Sequence, residues 1–277
     1  MPLTCRLLRK TEGRNLATAL VTGASSGLGE QFAYALGLER YGLVLVARRE
    51  DRLAAVAGHA RSLGASSVRT ICADLARRET PAALHEHLVT DGIHVDYLVN
   101  NAGFGTTGKF HRLEFARELE QVDLNVTAVV SMTRLFLPAM VERRHGTIIN
   151  VASTAAFQAT PYMATYGATK AFVLSFSEAV AGEMADSGVT VMALCPGPVR
   201  TEFQKIANNE RVRFPSFLWT HAERVVEEAI AAAASGRSLC VSGTINQALA
   251  LGSKLAPRAL STLVSRRLMR PAAADSD

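Results

Sequence analysis

Cysteine is scarce in this 277-residue chain and poorly placed for ligation: Cys5, Cys72, Cys195 and Cys240 form no Cys-x-x-Cys pair, and no histidine stands at zinc-ligand spacing from them. A structural zinc site and a disulfide framework are thereby excluded, and reduced thiols in a cytoplasmic protein are expected. His111, His145 and His221 are isolated, so no metal is expected either. The N-terminal run Met-Pro-Leu-Thr-Cys-Arg-Leu-Leu-Arg-Lys lacks the apolar centre of a secretory signal, and no uninterrupted apolar run approaches the ~18 residues of a membrane span, so a soluble chain is expected. Aromatic residues amount to only 6%, which suits a sheet packed with Val, Ile, Leu and Ala, while 48% hydrophobic and 20% charged content excludes disorder.

The body of the chain also lacks an excess of positive charge. Residues 1–14 carry Arg6, Arg9, Lys10 and Arg14 against Glu12, and residues 254–277 carry Lys254, Arg258, Arg266, Arg267 and Arg270 against Asp275 and Asp277. Each end is therefore +3, and of the total of +5 the 239 residues between contribute −1. The basic pI belongs to two peripheral segments, so no nucleic-acid partner is expected.

What the chain does contain is an alternation of short apolar runs with helical patterns. Thr18 to Val21 reads as a strand, interrupted by Thr-Gly-Ala-Ser-Ser-Gly-Leu-Gly and followed by a helix through Phe32, Leu36 and Leu38. Gly23, Gly27 and Gly29 permit a tight turn and close approach of backbone N–H groups to a pyrophosphate at the helix N-terminus. A plain glycine-rich connection is the alternative; the flanking strand and helix favour phosphate binding. The next strand, Leu43 to Ala47, ends at Arg48-Arg49, where a dinucleotide fold often places an acidic residue for the ribose 2′-hydroxyl. A guanidinium there can pair with a 2′-phosphate, which favours NADP(H), unless the two arginines merely open a solvated helix from Glu50 to Leu63.

Further strands are predicted at Val68 to Cys72, Val95 to Val99, Thr147 to Val151, Val189 to Leu194 and Ser238 to Val241. Helices are predicted at Thr80 to Val89, Phe115 to Val122, Asn125 to Glu142 and from near Tyr166 to Ala185. The alternation implies an α/β fold: a doubly wound parallel sheet of the Rossmann type, of about seven strands, with helices on both faces. Ligands bind such sheets at the carboxyl ends of the strands, where the glycine turn, Arg48, Asp74, Asn101 and Pro196-Gly197 all fall. Tyr166 and Lys170 stand four apart on one helix, close enough to act on the same small volume. A nearby ammonium favours phenolate and would pull the tyrosine pKa toward the working range. Alone, however, the pair is more readily a solvated helix face than a site.

Taken together and in order, these residues resemble the classical short-chain dehydrogenases/reductases over roughly residues 17–243. The resemblance rests on Thr22-Gly-Ala-Ser-Ser-Gly-Leu-Gly29, Asp74-Leu75, Asn100-Asn-Ala-Gly103, Asn125, Ser153, Tyr166-x-x-x-Lys170 and Pro196-Gly197, with Ser153 thirteen residues before Tyr166. It implies an NADP(H)-dependent oxidoreductase interconverting a ketone or aldehyde and its alcohol. Tyr166 would then exchange the proton, Lys170 would lower its pKa and hold the nicotinamide ribose, Ser153 would donate to the carbonyl oxygen, and Asn125 would hold a water linking Lys170 to solvent. The same resemblance assigns cofactor contacts to Gly23, Ser25, Ser26, Gly27, Leu28, Gly29, Arg48, Asp74, Leu75, Asn101, Ala102, Gly103, Pro196, Gly197, Val199 and Thr201. Arg48 is the expected reader of the 2′-phosphate, and Arg49 either helps or points to solvent. A homodimer or homotetramer through the helices near Asn125 and Tyr166 is implied as well.

Two rival readings are weighed. A non-catalytic NADP(H) sensor or scaffold typically loses the tyrosine or the lysine, and both are here. An epimerase or dehydratase usually has a G-x-x-G-x-x-G turn and a longer chain. Val126-Thr127-Ala128 follows Asn125 where the family commonly has a glycine, a mild departure. In residues 202–220, Phe203, Phe214, Phe217, Leu218 and Trp219 fall where the family has its substrate loop and, with Phe104, Phe157 and Met163, fit an apolar substrate or plug the core. Three segments are expected: a basic arm at 1–14, the dinucleotide-binding and catalytic domain at 15–243, and a basic amphipathic extension at 244–277. The last, with Leu249, Leu251, Leu255, Leu260, Leu263 and Leu268 and a break at Pro257, can pack on its own domain or a subunit, cover the substrate, or meet an anionic membrane. Own-domain or subunit packing is the expectation, ahead of a membrane.

Overall fold

Seven strands form one parallel sheet: Thr18–Thr22 (β1), Gly42–Ala47 (β2), Ser67–Cys72 (β3), Tyr97–Asn100 (β4), Gly146–Val151 (β5), Val189–Cys195 (β6) and Leu239–Val241 (β7). Their order across the sheet is β3-β2-β1-β4-β5-β6-β7, as expected for a doubly wound fold. The computed structural model describes residues 17–209, 212 and 215–270; the basic arm at 1–14, Phe214 and the residues after 270 lie outside these.

The inner strands read as near-continuous apolar runs because both of their faces are covered. In β1, Ala19 and Val21 join Phe32 and Leu36 on one face, while Leu20 joins Leu98 and Ile148 on the other. β2 repeats the division, Leu43 and Leu45 on the first face and Val44 and Val46 on the second. Register ties them together, Leu20 standing opposite Val44 of β2 and Leu98 of β4. β3, at the edge, is largely exposed.

The helices are Gly27–Leu38 (α1), Glu50–Leu63 (α2), Thr80–Thr90 (α3), Phe115–Val122 (α4), Ala128–Glu142 (α5), Ala164–Glu183 (α6), Phe203–Ile206 (α7), Ala222–Ala234 (α8), Thr244–Leu255 (α9) and Arg258–Met269 (α10). The first face is covered by α1, α2 and α8, the second by α3, α5 and α6. Successive crossovers lead outward from β1 in one direction and from β4 in the other. The two strand ends therefore part and leave a crevice between them.

One boundary differs in kind from the sequence expectation. Asn125 does not open a helix but sits in a π turn, Asp123–Thr127, that joins α4 to α5. Phe115–Glu142 is thus one continuous helix of 28 residues, apolar and long enough to cross a membrane by length and composition. Met132, Phe136 and Met140 of this helix are buried against the sheet, while Phe115, Leu119 and Val122 are exposed.

Beyond β7 the break at Pro257 is present, with Pro257 preceding α10. The faces are inverted relative to a core-packed helix. Among the described residues, the buried positions are Asn246 and Ala250 on α9 and Ser265 on α10, while Ile245, Leu249, Leu251, Leu260, Leu263, Val264 and Leu268 are exposed.

Candidate active site

The crevice is held open by a small network between β1 and β4. Thr22 Oγ1 donates to the Val99 carbonyl and accepts from the N–H groups of Asn101 and Ala102 at 2.9 Å each. The Asn101 side-chain amide donates to the carbonyls of Thr22 (2.9 Å) and Gly23 (3.3 Å), so this side chain shapes the glycine turn. Glycine is required there: Gly23 has φ +64°, and a Cβ would lie 2.8 Å from Asn101 Nδ2 at position 23 and 2.3 Å from the Gly23 carbonyl oxygen at position 29. The turn delivers the chain to the N-terminus of α1 with backbone N–H groups free for an anion.

Above this floor lies a cavity of about 530 Å³. Of the cofactor-side residues singled out in the sequence, all but Gly29 line it; of the four catalytic candidates, Ser153, Tyr166 and Lys170 line it and Asn125 stands behind. The loop after β6 closes the top. Thr201 lies against Gly27, where an added Cβ would be 3.2 Å from its side chain.

At one end of the cavity the positive charge is concentrated on two arginines with different partners. Arg49 Nη2 donates to the hydroxyls of Ser25 (3.1 Å) and Ser26 (2.8 Å), and its Nη1 to the Glu202 carboxylate (2.9 Å). Arg48 instead pairs with Glu120 at 3.0 Å and lies 3.8 Å from Asp74. The guanidinium gathered with the serines of the glycine turn is therefore that of Arg49, which the sequence pattern left between helper and solvent. Glu202 also lies 3.5 Å from Arg52, and the Arg49 hydrogen bond holds its carboxyl below the usual range.

At the other end stand Ser153, Tyr166 and Lys170, all buried. α6 places Tyr166 and Lys170 one turn apart on its inward face, and the end of β5 delivers Ser153 in an extended conformation, with its Oγ accepting from the Ala155 N–H at 3.1 Å. Ser153 stands beside the Tyr166 phenol and favours its ionised form. Lys170 Nζ donates to the Val151 carbonyl at 2.7 Å and lies 5.9 Å from the Tyr166 ring centre. Burial dominates both ionisations: it pushes the phenol up to about 12 despite the neighbouring Ser153, and pulls the ammonium down to about 8. The depression of Tyr166 expected from Lys170 is thus not present in the protein by itself, because the ammonium is directed at Val151 and the phenol has lost its solvent.

Asn125 is spent on structure as well. Its side chain accepts from the Phe104 N–H (3.1 Å) and donates to the Phe104 carbonyl (2.9 Å) and to Thr169 Oγ1 (3.0 Å). It clamps the β4 loop against α6, with both donors of its side-chain amide spent there. Gly103 is packed against this clamp, a Cβ there falling 2.8 Å from Asn125 Oδ1. Glu118, buried on α4, accepts from Thr106 (2.5 Å) and from Thr165, tying the same loop to the residue before Tyr166.

The surroundings of Tyr166 are apolar. The Phe203 ring lies 5.3 Å from the Tyr166 ring, and Met163, Phe104, Ile206 and Met269 share the cavity wall. Arg117 joins this wall with its guanidinium 3.7 Å from the Phe104 ring centre. Other aromatics picked out from the sequence do something else. Phe157 packs against buried Val173 and Leu174, Phe217 is exposed, and Trp219 stacks near Arg200 at 5.4 Å. Arg117, Glu202, Ile206 and Met269 carry no sequence signal that sets them apart from ordinary helix and loop residues.

The chain matches the family model for short chain dehydrogenase over residues 17–212. It is 32% identical over 212 residues to the Mus musculus 17-beta-hydroxysteroid dehydrogenase type 3, covering 76% of this chain and 69% of that protein. It is 36% identical over 187 residues to a Pinus massoniana 11-beta-hydroxysteroid dehydrogenase, covering 67% of this chain but about half, 52%, of the relative's length. Among solved structures, a short-chain dehydrogenase from Sphingobium yanoikuyae in complex with NADPH superposes with a TM-score of 0.77 at 31% identity, covering 95% of this chain and 99% of that one. The chain belongs to the short-chain dehydrogenase family, whose members are oxidoreductases acting on CH–OH groups.

Proposed function

We propose that the protein is an NADP(H)-dependent oxidoreductase that interconverts a bulky apolar ketone and its secondary alcohol. The observation that carries this reading is one cavity with Arg48 and Arg49 at one end and the buried Ser153, Tyr166 and Lys170, walled by apolar side chains, at the other. The glycine cradle, the Arg49–Ser25–Ser26 cluster and a volume of about 530 Å³ fit a phosphorylated dinucleotide. The hydroxysteroid dehydrogenases among the relatives, named for large apolar substrates, support the apolar preference.

When bound, the nicotinamide supplies or takes up the hydride. The chain's own part is to manage the proton and the charge on oxygen. Tyr166, its pKa raised to about 12, keeps its proton at neutral pH and gives it to the substrate oxygen as negative charge grows there. Ser153 Oγ supplies a second donor to the same oxygen. Lys170 would hold the nicotinamide ribose hydroxyls and, through water, would return a proton to Tyr166. Phe203, Met163 and Phe104 exclude water from the reacting centre. The exposed apolar residues Phe115 and Leu119 on α4 and Phe172 on α6 suit a homodimer or homotetramer.

Cofactor affinity should follow the Lys170 charge. The ammonium, lowered to about 8, loses its proton as pH rises, so NADPH binding should weaken up to about tenfold between pH 7 and 9 in a fluorescence titration. Lys170→Met should bind weakly and without a break near pH 8; an equal break in the variant would assign the titration elsewhere. Glu202, an exposed partner of Arg49, competes with an incoming 2′-phosphate. Glu202→Gln should therefore tighten NADPH about two- to fivefold and leave NADH unchanged, and an equal effect on both would remove Glu202 from this role.

A further inference from the structure

We propose that the outer faces of α9 and α10 seat the protein on an anionic lipid bilayer. On α10, Leu260, Leu263, Val264 and Leu268 recur at the spacing of one helix face and are 52%, 56%, 48% and 41% exposed. The side of α10 turned to the protein is formed by Ser265, buried with its hydroxyl unpartnered among the described residues, and by Met269 at the cavity wall. α9 does the same, burying Asn246 and Ala250 and exposing Ile245, Leu249 and Leu251. A helix that buries its small and polar side and exposes leucines has no apolar partner for that face among the described residues.

The charge identifies a partner for that face. Residues 244–270 contain no Asp or Glu, and Arg258, Arg266 and Arg267 are exposed beside the leucine stripe. A second copy meeting this face through a two-fold axis would set these arginines against their own counterparts with no carboxylate between them. An anionic bilayer accepts both features, the leucines in the acyl boundary and the guanidiniums among the headgroups. Met269 makes the inner side of α10 part of the cavity wall, so the seated face adjoins the site. If the reading as an apolar-ketone oxidoreductase holds, such a substrate reaches Tyr166 from the lipid.

The test is flotation of the full chain with vesicles of phosphatidylcholine alone and of phosphatidylcholine with about a third phosphatidylglycerol. The expected result is binding at least about tenfold stronger to the anionic vesicles, lost on raising the salt. Arg266→Glu with Arg267→Glu, and separately Leu263→Ser with Leu268→Ser, should each reduce binding about tenfold or more while the N-terminal basic arm is retained. Because the substituted side chains are exposed, circular dichroism and NADPH affinity should be unchanged. Anionic binding that survives both pairs of substitutions would overturn the proposal, as would no preference for anionic vesicles. A dimer dissociated by the leucine substitutions, with no vesicle binding, would give the face to a second copy instead. Vesicle binding requires no turnover, so failure of the oxidoreductase reading would leave this result standing and the reverse.

Discussion

Replacing Tyr166 by phenylalanine is expected to lower kcat for ketone reduction by about 10²- to 10⁴-fold while leaving NADPH affinity within about twofold of wild type. The phenyl ring fills the same buried space between Phe203 and Ser153, so the fold and the cavity wall persist. What disappears is the phenolic proton donor beside Ser153 at the apolar end of the cavity. Ser153 keeps its own hydroxyl and its contact with the Ala155 N–H, and can still polarise a carbonyl, which sets the residual rate. Rapid-mixing measurement of NADPH oxidation separates the chemical step from binding. A fall in kcat matched by an equal fall in NADPH affinity would indicate a collapsed site instead of a lost proton donor.

The second large effect concerns the other end of the cavity. Arg49→Ala is expected to weaken NADPH binding about 10- to 100-fold and NADH binding hardly at all, consistent with the loss of charge-assisted hydrogen bonds to one phosphate. Arg48→Ala should be the milder substitution: both arginines have an acidic partner, Glu120 for Arg48 and Glu202 for Arg49, but only Arg49 is gathered with the Ser25 and Ser26 hydroxyls of the glycine turn. Calorimetric titration with both cofactors checks this. If Arg48→Ala costs more NADPH affinity than Arg49→Ala, the phosphate belongs to Arg48 and its acidic partners reorganise on binding.

How much of this was legible in the sequence depended on the range of the interaction involved. The inner strands were readable because burial on both faces demands uninterrupted apolar runs, and the glycine turn because only glycine tolerates the approach of Asn101 and the Gly23 carbonyl. The facing of Tyr166 and Lys170 followed from helical spacing alone. Other features depended on contacts between segments far apart in the chain. The π turn at Asn125 follows from a side chain clamped to Phe104 and Thr169, which no local propensity encodes. The partners of Arg48 and Arg49 are Glu120 and Glu202, which lie 72 and 153 residues away in sequence.

Two expectations were altered by burial. Helical spacing brought a cation near a phenol, but spacing does not reveal the solvent that each loses, and that loss sets both pKa values. The leucines of the final segment read as a surface for packing on the domain or a subunit. Packing on the domain falls instead to the small and polar residues between them, while the leucines face outward, where a subunit or a membrane would meet them.

The central claim, that Tyr166 exchanges a proton while a bound nicotinamide cofactor exchanges a hydride, is tested most directly by one comparison. Wild type and Tyr166→Phe, each saturated with NADPH, would be mixed with a panel of bulky apolar ketones and NADPH consumption followed. The account predicts turnover by wild type and at least about a hundredfold slower turnover by the variant at equal cofactor occupancy. A variant as active as wild type, or a wild type that binds NADPH and turns over no ketone, would contradict it.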